Sequence, residues 1–161
     1  MKNSFGFITW YEDSRLGIFF STMPCVAVRY ITPSSTNEEK ASIIRFPFIN
    51  KRELRVQLVD RKKKKVYNFA IPKSYCYDGA SIPKFFHRII GANTDNRFLI
   101  PALIHDVLCE NHSYIDNDRE FSTDVFNALL YVGDVGKIKR FLMKNSVGIW
   151  QTAVGGWKKW Q

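Results

Sequence analysis

The sequence predicts an α+β domain, with antiparallel strands in its first half and helices in its second. Three observations carry this. Up to residue 71 the apolar residues fall in short β-branched and aromatic runs separated by polar or Pro-containing segments. After Pro72 the apolar spacing changes to the three-to-four-residue rhythm of helices. The two kinds of signal are segregated along the chain, as the α+β class requires.

In order, FGFITWY (5–11), LGIFF (16–20), CVAVRYI (25–31) and SIIRFPFI (42–49) read as strands, and TPSSTNEEK (32–40) as a surface loop. LRVQLV (54–59) and VYNFAI (66–71) flank the basic run Arg61–Lys65, which reads as a β-hairpin with a basic tip. That tip is either a solvated turn that guards a sheet edge or a surface that touches phosphate. FLIPALIHDVLCENH (98–112) is a mostly apolar helix of about four turns. The next helix, within 116–133, carries Asn117 and Glu120 at capping-box spacing, and Phe121, Val125, Leu129 and Val132 on one face, with Gly133 following. A last helical stretch starts at Val135 and is weakened by Gly148, Gly155 and Gly156. The expected organisation is a single domain, 1–161, with a strand-rich part (1–71) and a helical part (72–161).

Composition narrows the class. Of 161 residues, 45% are apolar and 15% aromatic, enough for a buried core and against wholesale disorder. The longest apolar stretch, LGIFFSTMPCVAV, is interrupted by Ser21, Thr22 and Pro24 and is too short to span a bilayer. No signal-like leader is legible, so the chain reads as soluble and made in a cytoplasm. Cys25, Cys76 and Cys109 are odd in number and lack C-x-x-C spacing, which argues for reduced thiols. The excess of 24 Lys+Arg over 15 Asp+Glu, a net +9, favours anionic partners: nucleic acid, anionic lipid or acidic wall polymer. No helix-turn-helix, zinc-finger or RNP-like pattern accompanies it, so charge alone speaks for nucleic acid. From Lys137 onward six cations and no acid interleave with Trp150, Trp157 and Trp160.

Ionisable residues inside apolar helices are the chemically informative ones, because a buried charge needs a partner. His105 and Asp106 lie mid-helix, and Asp124 lies on the following helix among Phe121, Val125 and Phe126. Two antiparallel helices would bring Asp124 against the His105 ring, where a carboxylate fixes the tautomer and supports a general base. The same pair also reads as a tie between two helices. Upstream, CYDGASIPKFF (76–86) places Asp78 and Gly79 in a turn, and Ser81 and Pro83 at a helix start. A loop carboxylate beside a free carbonyl is how hard-cation sites are assembled, with Asp106 able to supply a further oxygen. His105, Cys109 and His112 also share a helix face at i, i+4, i+7, though as a metal set they lack a fourth ligand. His87 reads as a packing or surface residue.

YDGASIP, ALIHDVL and DREFSTDVF, in that order before a basic Trp-containing tail, resemble a family common in phages and prophages, domain of unknown function thirteen-fifty-three, over roughly 66–161. The motifs are also similar to the bacterial and fungal branch of secreted phospholipase A-two. That resemblance implies a calcium loop at Asp78 and Gly79, a general base at His105, a calcium-binding carboxylate at Asp106 and an orienting carboxylate at Asp124. The two cysteines that form a disulfide in that branch correspond to Ala80 and Ala102, as a reducing compartment would require. The implied function is a phage-encoded, Ca²⁺-dependent acyl-ester (phospholipid) hydrolase, with an anionic membrane surface as partner. The alternative is a non-catalytic virion or tail-associated protein, made in the bacterial cytoplasm, that keeps the His-Asp network as architecture and binds other virion proteins.

Overall fold

The computed structural model describes residues 7–11, 15–79 and 96–153, with side chains described over 15–79 and 97–148. Ser81, Pro83, His87 and the three tryptophans of the tail lie outside those described side chains. Among the described residues the chain is antiparallel strands followed by helices, as the sequence predicts. Strands β1 (Phe7–Tyr11), β2 (Leu16–Phe20), β5 (Leu54–Asp60) and β6 (Lys65–Ile71) form one antiparallel sheet in the order β1-β2-β5-β6. Strands β3 (Val26–Val28), β4 (Phe48–Asn50) and β7 (Cys76–Tyr77) form a second, in the order β3-β4-β7. Helices α1 (Asn37–Arg45), α2 (Asn96–Glu110), α3 (His112–Ile115), α4 (Arg119–Val132) and α5 (Lys137–Ala153) complete it.

The expected strand over 42–49 is corrected, and with it the loop over 32–40. Residues 37–45 are helix, and only Phe48–Asn50 is strand. The cause is a capping box: Glu39 N–H donates to the Thr36 hydroxyl (3.1 Å), and Thr36 N–H donates to the Glu39 carboxylate (2.8 Å). Glu38 and Glu39 in the first turn and Arg45 in the last favour the helix dipole. Pro47 ends it, because the residue before a proline is pushed out of the helical region; Phe46 sits at φ −128°, ψ 77°. A second correction concerns α4. Its cap is Asp118, whose side chain accepts from Phe121 N–H (2.8 Å), while Asn117 is buried just ahead of it.

One core joins the inner face of the four-stranded sheet to α2 and α4. Along β5 burial alternates, with Leu54, Val56 and Leu58 inside and Arg55 exposed, the period-two pattern of a half-buried strand. Helix α2 is apolar nearly all round (Leu99, Leu103, Ile104 and Leu108 are all buried) because it is central to that core. Tyr67 of β6 stacks on Phe121 of α4 with ring centroids 4.2 Å apart, so the hairpin is packed against the helices.

The predicted basic hairpin is present, and its tip is stapled down. Asp60 accepts from the backbone N–H of Lys62 (2.9 Å) and Lys63 (3.1 Å), and Lys64 takes a positive φ of 52°. Lys63 pairs with Asp118, and Lys65 with the carboxylate and carbonyl of Asp116. Two of the tip's lysines are therefore used within the fold. Being exposed, each pair is worth at most about 1 kcal/mol.

The loop leading to β7 is held by Asn50. Its fully buried side chain donates to the carbonyls of Arg52 (2.6 Å) and Pro72 (3.0 Å). Its backbone exchanges bonds with Ser74 and Tyr75 at 2.8 Å each. We expect Asn50→Ala, which strands two carbonyls, to cost about 1–3 kcal/mol in chemical denaturation. A loss below about 0.5 kcal/mol would mean the backbone bonds hold the loop by themselves.

Candidate functional site

Strand β7 ends at Tyr77, a fully buried residue whose hydroxyl donates to the Leu99 carbonyl (3.0 Å). That bond fixes the chain leaving β7 against the first turn of α2. Asp78 and Gly79 follow at once, and Gly79 takes φ +86°, a conformation natural to glycine. An added Cβ at Gly79 would meet Phe48 Cε2 at 2.5 Å, so glycine is required for space as well as for backbone angle.

The turn delivers Asp78 to the middle of α2, where its carboxyl shares a hydrogen bond with that of Asp106. Asp106 is largely buried, its side chain 19% exposed. Burial first, then the neighbouring charge and hydrogen bond of Asp78, then the charge of Glu110, hold the Asp106 carboxyl well above the usual carboxylate range. Glu110, one turn further along α2, is also pushed up by burial, against the bond it accepts from the Tyr75 hydroxyl. Burial and the Glu110 bond in turn push the Tyr75 phenol up.

His105 adjoins this acidic group. Its Nδ1 is 3.6 Å from Asp106 Oδ1, its Nε2 is 3.5 Å from Cys109 Sγ, and its ring packs on Phe126 at 5.3 Å between centroids. Consecutive helix residues project about 100° apart, yet the His105 ring and the Asp106 carboxyl come within 3.6 Å of each other. The result is a largely buried imidazole beside the Asp106 carboxyl, which in turn presses on the carboxyl of Asp78. Such a group can take a proton from water and can offer hard oxygen donors to a cation.

Of the residues expected from the sequence, Asp78, Gly79, Asp106 and His105 are gathered at one place. Asp124 is turned to other partners: Lys144 on α5 (3.0 Å) and Arg15 at the start of β2 (3.3 Å). The expected bond from Asp124 to the imidazole gives way to these pairs because two cations, one from the N-terminal strands and one from the last helix, claim both of its oxygens. The i, i+4, i+7 set also separates: α2 ends at Glu110, and His112 turns its Nδ1 toward the Cys109 carbonyl (3.2 Å). Among the described residues, no three or more His, Cys, Asp or Glu side chains converge as a metal-holding group.

Tyr75 and Glu110 join the site without having been expected there. Glu110 was findable, since it stands one helical turn beyond Asp106. Tyr75 was not, because its place depends on β4 pairing with β7 across residues distant in sequence.

The Asp124 pairing makes a prediction. Where a carboxylate orients a catalytic histidine, removing its charge lowers turnover about 10⁴-fold. Here Asp124→Asn is expected to lower stability by about 1–3 kcal/mol and to change any His105-dependent turnover by less than about tenfold. Melting temperature and turnover measured on one preparation check this; a 10⁴-fold loss in a stably folded variant would return Asp124 to the histidine.

A family model described as "Protein of unknown function (DUF1353)" matches residues 53–147. The match begins ahead of β5, earlier than the expected residue 66, ends before the expected basic Trp-containing tail, and contains Asp78, Gly79, His105, Asp106 and Asp124. No curated protein and no solved structure matches the chain.

Proposed function

The chain belongs to the DUF1353 family, and we propose that this member is a Ca²⁺-dependent hydrolase of acyl esters, with phospholipid as substrate. The observation that carries the reading is the meeting of Asp78 and Asp106 beside His105. Two carboxyls forced together in a largely buried site, one of them held toward its neutral form, are the donor chemistry that a hard cation relieves. The side chains of Asp78 and Asp106 and the carbonyl of Gly79 would hold the ion. Bound there, it would supply positive charge to polarise an acyl carbonyl and stabilise the developing oxyanion.

The chain's own part is proton handling. His105, wedged between Phe126 and Cys109, is restricted in orientation and takes a proton from the attacking water. Asp106 Oδ1, nearest Nδ1, stabilises the imidazolium that results. Tyr75 and Glu110 brace the acidic group from the β7 side.

The Asp124 pairs favour a second reading, in which the His-Asp set serves as architecture in a non-catalytic phage component. Calcium titrated into wild type and Asp106→Asn, with fatty-acid release from phospholipid vesicles followed alongside, separates the two. The hydrolase reading expects calcium binding that the variant loses, and a fall of about 10²–10⁴-fold in wild-type release on His105→Ala. No calcium binding at millimolar concentration, together with no release, would leave the set as architecture.

A further inference from the structure

We propose that the corner where α4 meets α5 is a docking surface for an anionic phospholipid bilayer. Four large apolar side chains stand out into solvent there: Tyr131 (55% exposed) and Val132 (50%) at the end of α4, and Ile138 (74%) and Phe141 (66%) on α5. Ile138 and Phe141 are three residues apart and so share a helix face. The opposite face of α5 is used in the core through Met143 and Val147. The helix is therefore seated on the domain by one side and presents a second apolar side outward, which a water-facing helix has no reason to carry.

Charge selects the partner. Between Tyr131 and Gly148 the sequence holds Lys137, Lys139, Arg140 and Lys144 against Asp134 alone. Lys137 is exposed one helical turn from Phe141, Lys139 is half-buried on a neighbouring face of α5, and Arg140 lies over the Tyr131 ring at 4.9 Å. Lys144 is engaged with Asp124 and Arg140 with the Val135 carbonyl (3.0 Å), so Lys137 and Lys139 are the cations taken to set the field at the surface. An apolar stripe with an aromatic at its edge and a basic rim matches a bilayer whose head groups are anionic and whose acyl region begins just below them. Among the described residues no helix is long and apolar enough to cross a membrane, so the contact is one of lying on the surface. It stands on this surface alone, whether or not His105 is catalytic.

The test is co-sedimentation of the full chain with vesicles of phosphatidylcholine alone and with phosphatidylglycerol added, for wild type, Ile138→Ser/Phe141→Ser, Lys137→Glu/Lys139→Glu and His105→Ala. Both double variants change exposed or half-buried positions, and circular dichroism checks that they fold. Wild type is expected to bind the anionic vesicles at least tenfold more tightly than the neutral ones, and to lose that preference in high salt. The apolar variant is expected to bind at least tenfold more weakly, and the charge variant roughly fivefold more weakly per cation. His105→Ala is expected to bind as wild type does, which keeps docking distinct from hydrolysis. Equal binding by wild type and the folded apolar variant overturns the proposal. So does a concentration-dependent dimer abolished by that variant, which would make a second copy the occupant. Binding to oligonucleotide but not to vesicles overturns it as well.

Discussion

Replacing Gly79 by alanine is expected to destabilise the protein by roughly 2–5 kcal/mol, a large share of what a domain this size possesses. Two separate costs add. At φ +86° any side chain is strained, by about 1–2 kcal/mol. The new methyl would also stand 2.5 Å from Phe48 Cε2 and 2.9 Å from Cδ2. Phe48 cannot yield cheaply: it is fully buried, pairs in register with Tyr77, and lies 5.6 Å from that ring. Overpacking of this kind costs about 1–3 kcal/mol. Gly136→Ala is the control for the steric cost, because an added Cβ there meets nothing within 4 Å; it should lose only the N-cap preference for glycine over alanine ahead of α5, about 1 kcal/mol. Urea denaturation of the two variants decides the matter, and a Gly79→Ala loss below about 1 kcal/mol would show that the turn and ring relax together. Any folded fraction should also lose the meeting of Asp78 with Asp106, since Gly79 sets the turn beside Asp78.

That dependence explains what could be read from the sequence. The β5–β6 hairpin, α2 and α4 were legible because their signals are local: alternation around a basic turn, and apolar spacing over several helical turns. Helix α1 is hidden in the sequence because its β-branched Ile43 and Ile44 imitate a strand, whereas the Thr36–Glu39 box that decides the matter is a short polar signal. Membership of the site followed the same rule. His105 and Asp106 stood out as ionisable residues in an apolar helix, and Asp78 as a turn carboxylate. The partners of Asp124 did not, because Arg15 is 109 residues away and reaches it only through the pairing of β2 with β5. No helical spacing records a competitor that arrives from a distant strand. An ionisable residue's need for a partner can be inferred from burial; which partner it takes is decided by the tertiary fold.

Asp106→Asn is expected to change stability, metal response and activity in a linked way. In the folded chain the Asp106 carboxyl holds its proton more tightly than in the unfolded chain, because burial and Asp78 oppose its ionisation. Below about pH 4, where an unfolded aspartate is itself protonated, this difference contributes nothing. As pH rises from there through the folded carboxyl's own titration, the native state binds more protons than the unfolded state, so stability falls and stays lower above that range. Asparagine has no such titration and can still bond to Asp78. Thermal unfolding should therefore find the variant equal to wild type near pH 4 and more stable at pH 8. Glu110, pushed in the same direction, leaves a smaller slope in both proteins. Calcium at a hundred times its dissociation constant should raise wild-type stability at pH 8 by about 2.7 kcal/mol and leave the variant unmoved, and the variant should release no fatty acid. Parallel pH profiles would mean that the carboxyl repulsion is not centred on Asp106. A variant both more stable and fully active would remove Asp106 from the chemistry and leave His105 with no carboxyl beside it. A variant more stable yet inactive would show that the fold carries an unfavourable charge at Asp106 because the reaction requires it.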